Sequence, residues 1–318
     1  MIMQNGEKKI PLLILAGPTA SGKTSLSIEM AHRLGGEIIS ADSMQVYRGM
    51  DIGTAKVTRD EMQDVPHYLI DICDPIPKRP EEEWNVMRFV KEAEALIEKI
   101  HKNGHLPILV GGTGFYIHAL AYGAEFEEEP VVPEIRNSLE LLSTEELTAR
   151  LAKVDPLSAE RIHPNNRKRV IRAIEYYEMN GSPISEMNDR LKEKDSSYRL
   201  CYLVLDLSRD VLYERIDRRV DKMIEDGLVQ EVRSLYEAGA TSDLVSMKGL
   251  GYKEILSYLK GEITLDDAVY ILKRDTRHFA KRQLTWWRGE KDAIFVPVEP
   301  RTTLVDRACG IAGSLLND

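Results

Sequence analysis

A glycine-rich loop near the start of the chain has the residues for holding phosphate. Residues 17–24 read GPTASGKT, which matches G-x-x-x-x-G-K-[ST] between an apolar run and a helical pattern. Glycines let backbone N–H groups turn toward phosphate oxygens, and the following helix presents the positive end of its dipole. We predict that Lys23 reaches a terminal phosphate and that the Thr24 hydroxyl ligates Mg²⁺. The candidate phosphate-binding residues of this P-loop are Gly17, Pro18, Thr19, Ala20, Ser21, Gly22, Lys23 and Thr24.

The P-loop pattern does not identify the phosphate compound. It is typical of nucleotide-binding and ATP-binding proteins, but other diphosphates offer the loop the same oxygens. Kinases, GTPases and other transferases therefore remain open. No N-K-x-D segment, the guanine-reading signature of GTPases, follows the loop, which argues against a GTPase.

A carboxylate and a hydroxyl each follow a predicted strand. Asp42 comes just after the apolar run EIIS, and Thr113 stands in GGTG after LPILV. Open α/β sheets place ligands at the carboxyl ends of parallel strands. Asp42 could therefore ligate metal-bound water, cap the next turn or act as a general base. Thr113 either positions a substrate or makes a local hydrogen bond at the strand exit.

Short apolar runs alternate with helical patterns along most of the chain. We predict strands at residues 10–16, 37–40, 106–110 and 201–207, because short runs bounded by turn signals are typical of strands buried in a parallel sheet. Apolar residues recur at helical spacing in residues 81–102 and 209–237. The alternation predicts an α/β fold, a parallel sheet flanked by helices.

Residues 125–198 differ from the rest of the chain. They have helical periodicity and several Pro and Asn breaks but no convincing strand. We therefore predict an inserted all-helical domain at 125–198, within a core formed by residues 1–124 and 199–318. Its entrance, EFEEEPVVPEI, is acidic and contains proline, as is typical of a linker.

Two basic segments stand out in an acidic chain. The formal net charge is −9, which alone does not suggest a protein that grips phosphate backbones. Residues 161–172 nevertheless contain five Lys or Arg and no acid. Residues 273–288 contain seven basic side chains, His278 included, against Asp275, and end close to Trp286 and Trp287. These segments are either solvated helix faces or nucleic-acid contacts.

Six blocks of sequence together resemble the tRNA dimethylallyltransferases, also called tRNA isopentenyltransferases. The blocks are GPTASGKT, DSMQVYRGMDIGTAK, GGTGFY, DVLYERIDRRVDKMIEDGL, KGLGYKE and TRHFAKRQLTWWR, in the order of that family and over nearly the whole chain. The resemblance implies a P-loop NTPase-like core. It also implies that a dimethylallyl group passes from dimethylallyl diphosphate to N6 of adenosine 37 in the tRNA anticodon loop, giving N6-isopentenyladenosine and pyrophosphate.

The same resemblance implies roles for individual residues. Arg219 matches the arginine on the leaving diphosphate, Asp42 the general base, and Thr113 the threonine at the reaction centre. Mg²⁺ is the implied cofactor, and the helical insertion is implied to contact the anticodon stem-loop. The implied tRNA contacts are Asp42, Ser43, Met44 and Gln45 on the flipped adenine, and elsewhere Arg167, Lys168, Arg169, Arg172, Lys248, Lys281, Arg282, Gln283 and Arg288.

Two other functions follow from parts of the same sequence. A P-loop kinase acting on a small metabolite would use Asp71 or Asp206, which end apolar runs, as its Mg²⁺-binding acid. It would not explain the two basic segments or the helical insertion. A nucleotide-regulated RNA-binding protein would explain the basic segments, but not Asp42 and Thr113 at strand ends.

Composition sets the remaining expectations. The start of the sequence has no signal-peptide pattern, and no apolar run approaches the roughly 18 residues of a membrane span. The three cysteines are far apart and form no disulfide or zinc pattern. We expect a cytoplasmic protein that does not associate with membranes and, since no coiled-coil seam is visible, a monomer.

Overall fold

The computed structural model describes residues 9–123 and 133–316. Six strands form one sheet in the order β3-β2-β4-β1-β5-β6, and every neighbouring pair is parallel. The strands are β1 Pro11–Ala16, β2 Gly36–Ser40, β3 His67–Tyr68, β4 Leu106–Gly111, β5 Arg199–Asp206 and β6 Ala293–Pro297. The predicted α/β class is confirmed. Residues 125–132 of the predicted linker lie outside the described residues.

Helices connect the strands, and between β4 and β5 they form all of the regular structure of the described residues. They are α1 Lys23–Leu34, α2 Arg59–Met62, α3 Val86–Lys102, α4 Gly114–Tyr122, α5 Pro133–Glu140, α6 Thr144–Val154, α7 Pro156–Arg161, α8 Arg167–Asn180, α9 Ile184–Glu193, α10 Arg209–Glu225, α11 Leu228–Glu237, α12 Tyr252–Leu259, α13 Leu265–Trp287 and α14 Leu304–Leu316. Short 3₁₀ turns lie at Pro80–Glu82, Ser246–Lys248 and Arg301–Thr303. None of the described helices is long and apolar enough to cross a membrane.

Strand β1 is the middle of the core. Its residues from Leu12 to Ala16 are all fully buried, as expected of a central strand covered on both faces. Leu13 and Leu15 pack in one apolar cluster with side chains of α1 and α14. Because side chains alternate across a strand, Leu12 and Ile14 face the opposite side. The P-loop therefore leaves the sheet from its best-buried strand.

Two predicted helices are shorter than their periodic patterns. The pattern at 209–237 breaks where Gly227 adopts a φ of 105°, between α10 and α11. The pattern at 81–102 begins with a 3₁₀ turn, and α3 starts only after Asn85, whose side chain accepts a hydrogen bond from the Arg88 N–H. Glycine is well suited to the left-handed turn, and asparagine is a strong helix cap.

The described residues form two compact units, one within residues 1–121 and 197–318 and the other within residues 122–196. The second unit contains α5 to α9 and has its own core, which includes Leu139, Leu147 and Ile174. Asp155 is fully buried there. Its carboxylate accepts hydrogen bonds from the backbone N–H and hydroxyl groups of both Ser158 and Ser185, at 2.6–3.0 Å. Asp155 therefore ties the start of α7 to the start of α9.

Candidate active site

A cavity of about 750 Å³ lies at the carboxyl ends of β1, β2 and β4. Each of these strands delivers one of the sequence blocks to it: β1 the P-loop, β2 the segment from Asp42, and β4 Gly112 and Thr113. Helix α10 adds Arg219, and α12 and α13 contribute to the remaining wall. The cavity-lining residues that the sequence had singled out are Thr19, Ala20, Ser21, Gly22, Lys23, Thr24, Asp42, Ser43, Met44, Gln45, Thr113, Arg219, Lys248, Arg282 and Gln283.

The P-loop has the geometry of an anion cradle. Gly22 has a φ of 93° and immediately precedes α1, whose first residue is Lys23. The Lys23 Nζ donates to the carbonyl oxygens of Gly17 and Pro18, both at 2.7 Å, so the side chain folds back over the loop. The Thr24 side chain is in the first turn of α1 and the residue is exposed. The N–H groups at the start of α1 and the Lys23 side chain thus lie in the same loop.

Two partly buried cations, Lys23 and Arg219, line the cavity. Burial and, to a smaller extent, the nearby charge of Arg219 lower the pKa of Lys23 to about 7, against the opposing effect of the Asp42 charge. Burial also lowers the pKa of Arg219, again against the charge of Asp42. Buried cations without a full counter-charge favour binding of an anion. The cavity is therefore electrostatically prepared for a multiply charged phosphate group.

Asp42 and Thr113 meet because β2 and β4 are neighbours. A Cβ on Gly111 would lie 2.2 Å from the Ala41 carbonyl oxygen, so only glycine allows the two strand ends to come this close. The Thr113 Oγ1 accepts a hydrogen bond from the Ser43 N–H at 3.1 Å. One oxygen of Asp42, Oδ1, accepts from the Met44 and Gln45 N–H groups. No hydrogen bond from a described residue reaches Oδ2.

The turn-capping and catalytic interpretations of Asp42 are therefore compatible. Oδ1 fixes the turn of residues 42–45, and Oδ2 stays available to a substrate in the cavity that Asp42 lines. The side-chain amide of Gln45 already has hydrogen-bond partners at both its oxygen and its nitrogen. Its Nε2 donates to the carbonyl oxygens of Thr54 and Ala55, and its Oε1 accepts from the Ser40 hydroxyl, at 3.3–3.4 Å.

Gln283 is buried, whereas the sequence predicted that its side chain contacts tRNA. The residue is only 6% exposed; its Oε1 accepts from the Thr19 N–H at 2.9 Å, and its Nε2 donates to the Gly112 carbonyl at 2.7 Å. With both ends of the amide bonded to backbone, the predicted contact with a tRNA phosphate does not fit. The sequence did not indicate that Gln283 is buried, because the basic residues around it made the whole segment resemble a solvated helix face.

The other predicted tRNA contacts divide into exposed and engaged side chains. Arg167 donates to the Leu142 carbonyl at 2.9 Å and the Glu140 carbonyl at 3.2 Å, and Arg172 lies 3.4 Å from Glu175. Arg167 thus links the start of α8 to the connection between α5 and α6, whereas the Arg172 pair lies within α8. The predicted contacts that are exposed on the surface are Lys168, Arg169, Arg172, Lys248, Lys281, Arg282 and Arg288.

The two tryptophans at the end of α13 have different environments. Trp287 is fully buried, as expected for packing, whereas Trp286 is 39% exposed. Trp286 makes edge-to-face contacts with Phe115 and His118. A Cβ on Gly114 would lie 2.5 Å from the Trp286 ring. The indole therefore covers the start of α4, next to Thr113.

The residues present fit a Mg²⁺ ion that is bound mainly by its substrate. Among residues 9–123 and 133–316, no group of three His, Cys, Asp or Glu side chains could hold a metal ion. Mg²⁺ commonly keeps several waters and takes one or two protein ligands beside phosphate oxygens. The exposed Thr24 hydroxyl at the start of α1 is suited to such a site.

The two acids that a kinase would use to bind Mg²⁺, Asp71 and Asp206, lie outside the cavity. Asp71 pairs with Lys56 at 2.6 Å, and the same Lys56 Nζ contacts Asp51 at 2.6 Å. Asp206 ends β5 and is exposed. Neither Asp71 nor Asp206 lines the cavity, so the predicted Mg²⁺-binding acid of a kinase is not supported.

Comparison with known proteins places the chain among enzymes that modify tRNA. The IPP transferase family model matches residues 45–290, and the isopentenyl transferase model matches residues 10–74. The chain is 53% identical over 290 residues to a tRNA dimethylallyltransferase of Lachnoclostridium phytofermentans, covering 90% of this chain and 91% of that relative.

Solved structures agree. The full-length tRNA isopentenylpyrophosphate transferase of Bacillus halodurans is 43% identical, with a TM-score of 0.72, over 96% of this chain and 97% of that one. A eukaryotic dimethylallyltransferase acting on tRNA is 30% identical, with a TM-score of 0.79, over 98% of this chain and 79% of that one.

Proposed function

The chain belongs to the IPP transferase family, and we propose that it transfers the dimethylallyl group of dimethylallyl diphosphate to N6 of adenosine 37 in the tRNA anticodon loop. The products are N6-isopentenyladenosine and pyrophosphate. The observation that supports this proposal best is the single cavity where the P-loop and Arg219 face Asp42 and Thr113. A leaving-group site and a proton acceptor thus share one space.

The cationic side of the cavity holds the diphosphate. As the allylic C–O bond breaks, its electron pair leaves with the diphosphate, so negative charge grows on those oxygens. Lys23, Arg219 and the N–H groups of the P-loop stabilise that charge, and the partial burial that lowers the pKa of both side chains strengthens the interaction. The Thr24 hydroxyl would hold a Mg²⁺ ion beside the diphosphate, and that ion would supply further positive charge.

Asp42 accepts the proton of the nucleophile. The N6 amine of adenine is a weak nucleophile, because its lone pair is delocalised into the ring, so removal of a proton during attack favours formation of the N–C bond. The Oδ2 atom of Asp42 takes that proton, while Oδ1 remains bonded to the turn of residues 42–45. Thr113 positions the reacting groups through its hydroxyl, which the Ser43 N–H orients.

The adenine must leave the anticodon loop to reach Asp42. Residues 42–45 line the cavity and contact the extruded base. Lys248, Lys281, Arg282 and Arg288 bind phosphates around it; contacts to phosphates position the RNA, and contacts to the base provide specificity.

The helical unit contacts the anticodon stem-loop through the exposed side chains of Lys168 and Arg169 on α8. Arg167 supports that surface from within the unit, and the exposed side chain of Arg172 belongs to the surface. The protein acts as a monomer in the cytoplasm, where its tRNA substrate is found.

The test is transfer of label from radioactive dimethylallyl diphosphate to unmodified tRNA in the presence of Mg²⁺. We expect label in tRNA with adenosine at position 37 and none in tRNA with guanosine there. A parallel reaction with radioactive ATP and a small-molecule acceptor should give no transfer. Phosphorylation of the acceptor, with no label in tRNA, would overturn the proposal in favour of a kinase.

A further inference from the structure

Glu231, on α11, lies outside the six sequence blocks but is the centre of a hydrogen-bond network with residues of two of them. Its Oε2 accepts from the Asp51 N–H at 2.8 Å and the Ile52 N–H at 2.7 Å. Its Oε1 accepts from the Gly53 N–H at 3.0 Å and from the Tyr252 hydroxyl at 2.7 Å. One carboxylate thus binds three consecutive backbone N–H groups, about 180 residues earlier in the chain, and one phenol.

Packing fixes the same loop from its other side. Tyr252 is 1% exposed, and its ring lies against Gly53 so closely that a Cβ there would be 2.6 Å from two ring atoms. A side chain at residue 53 would displace the loop or the ring. Residues 51–53 are therefore held by the Glu231 carboxylate and seated on the Tyr252 ring.

The backbone that follows this anchor contacts the catalytic groups. The Thr54 carbonyl accepts a hydrogen bond from the Arg219 Nη2 at 3.4 Å and from the Gln45 Nε2 at 3.3 Å. The Ala55 carbonyl accepts from Gln45 as well. Arg219 is the proposed leaving-group arginine, and this carbonyl is its hydrogen-bond acceptor in the loop anchored by Glu231.

We propose that Glu231 is a positioning residue, which holds residues 51–55 so that the Thr54 carbonyl aims the Arg219 guanidinium at the diphosphate. The inference rests on the proposed function, since it takes Arg219 as the diphosphate arginine. Glu231 does not line the cavity. Glu231 therefore acts through the loop. A carboxylate is required at this position, because all four of its hydrogen bonds are accepted from N–H or O–H donors.

The first test is Glu231→Gln. Its amide replaces one oxygen by an NH₂ group that faces donors, so at least one N–H loses its acceptor. We expect kcat for transfer to fall about 10- to 100-fold and the affinity for inorganic pyrophosphate, measured with Mg²⁺ by calorimetry, to fall about tenfold. The KM for tRNA should not change. Glu237→Gln, an exposed site on the same helix, is the matched control and should leave all three values unchanged.

A double-mutant cycle separates positioning from general destabilisation. If Glu231 acts through Arg219, then Glu231→Gln should weaken pyrophosphate binding little further once Arg219→Ala is present, because contributions through one group are not additive. Tyr252→Phe, which keeps the carboxylate and removes one donor, should show the same pattern with a smaller effect. Thermal melting identifies any variant that has simply unfolded.

The outcomes are distinct. Additive losses from Glu231→Gln and Arg219→Ala, or unchanged pyrophosphate affinity in a folded Glu231→Gln protein, would overturn the inference while transfer by the native chain left the proposed function intact. Absence of transfer by the native chain would overturn the proposed function. Pyrophosphate binding would still decide whether Glu231 acts through Arg219.

Discussion

Gln283 and Thr19 lie 264 residues apart, yet the Gln283 Oε1 accepts a hydrogen bond from the Thr19 N–H at 2.9 Å. The other end of the same amide donates to the Gly112 carbonyl, next to Thr113. Gln283 therefore ties the P-loop to the strand exit that carries Thr113. One buried side chain thus holds the proposed diphosphate site and the proposed nucleophile site in register.

Replacement of Gln283 should thus impair binding of the diphosphate rather than of tRNA. Gln283→Leu leaves the partly buried Thr19 N–H and the buried Gly112 carbonyl without their partners, a cost of about 1–3 kcal/mol. We expect the KM for dimethylallyl diphosphate to rise about tenfold while the KM for tRNA changes little. Lys281→Ala, on the same helix, should show the opposite pattern. Steady-state kinetics with each substrate varied in turn measures both; a salt-dependent loss of tRNA affinity in Gln283→Leu would instead restore the phosphate-contact interpretation.

Binding of a diphosphate should take up a proton at mildly alkaline pH. In the free protein burial lowers the pKa of Lys23 to about 7, so Lys23 is largely neutral at pH 8. The negative charge of a bound diphosphate raises that pKa again. Uptake should therefore appear above pH 7 and vanish near pH 6, where Lys23 is already charged. Calorimetry of pyrophosphate binding in buffers of different ionisation enthalpy counts the protons.

Lys23→Arg is the control for that measurement, because the guanidinium stays charged throughout this pH range. The number of protons taken up when Lys23→Arg binds pyrophosphate then reflects the ligand and Mg²⁺ alone. The native protein should take up as much as one proton more than Lys23→Arg at pH 8. Equal counts for the two proteins would show that Lys23 is charged before the ligand arrives.

Neighbouring cations of α8 should separate into RNA-binding and structural side chains. Lys168→Ala and Arg169→Ala should each weaken tRNA binding and reduce the slope of log affinity against log salt concentration by about 0.7–0.9. Arg167→Gln should instead reduce the stability of the helical unit, since its guanidinium bonds to the Leu142 and Glu140 carbonyls. Salt titrations of tRNA binding, paired with thermal melts, distinguish these results. If Arg167→Gln reduced the slope of log tRNA affinity against log salt concentration by the same amount and left the melting temperature unchanged, Arg167 would be an RNA-binding residue and this assignment would be wrong.

Asp155 should stabilise the helical unit above about pH 4. Burial alone would raise the pKa of Asp155, but the hydrogen bonds from Ser158 and Ser185 outweigh it and hold the pKa below its ordinary value. A depressed carboxyl pKa contributes stability above the unfolded pKa of about 4, and that contribution is lost as the pH falls through the lower folded value. Asp155→Ala should cost on the order of 3 kcal/mol at pH 7.

Hydrogen exchange followed by mass spectrometry can localise this effect. Amides of α7 and α9 in Asp155→Ala should exchange about 100-fold faster at pH 7, whereas Glu160→Ala, an exposed site on α7, should exchange at the native rate. Unchanged protection in Asp155→Ala would mean that the four hydrogen bonds contribute no net stability.

The sequence predicts the features whose determinants are local. The P-loop, Asp42 and Thr113 follow short apolar runs, and β1, β2, β4 and β5 lie where those runs predict strands. Edge strand β3 has two residues and β6 has five in a charged context, so neither gives a clear signal. Strand order and helix breaks depend on tertiary packing, as at Gly227.

The partners of Gln283 and Glu231 lie beyond the reach of sequence patterns. Gln283 contacts residues 171 and 264 positions away, and Glu231 binds N–H groups 178 to 180 positions away. Each is one polar residue on an amphipathic helix, where a solvated side chain is the ordinary expectation. Only the folded chain shows that the carboxylate and the amide face backbone groups of the active site.

The central claim is that Asp42 takes the proton from adenine while the P-loop holds the diphosphate, and Asp42→Asn tests it most directly. The amide can still accept the Met44 N–H through its oxygen, so the turn should persist, but it cannot act as a base. In single-turnover transfer from radioactive dimethylallyl diphosphate to tRNA, we predict a rate about 100- to 10,000-fold below native, with affinities for pyrophosphate and tRNA near native. A near-native transfer rate in Asp42→Asn would contradict the claim.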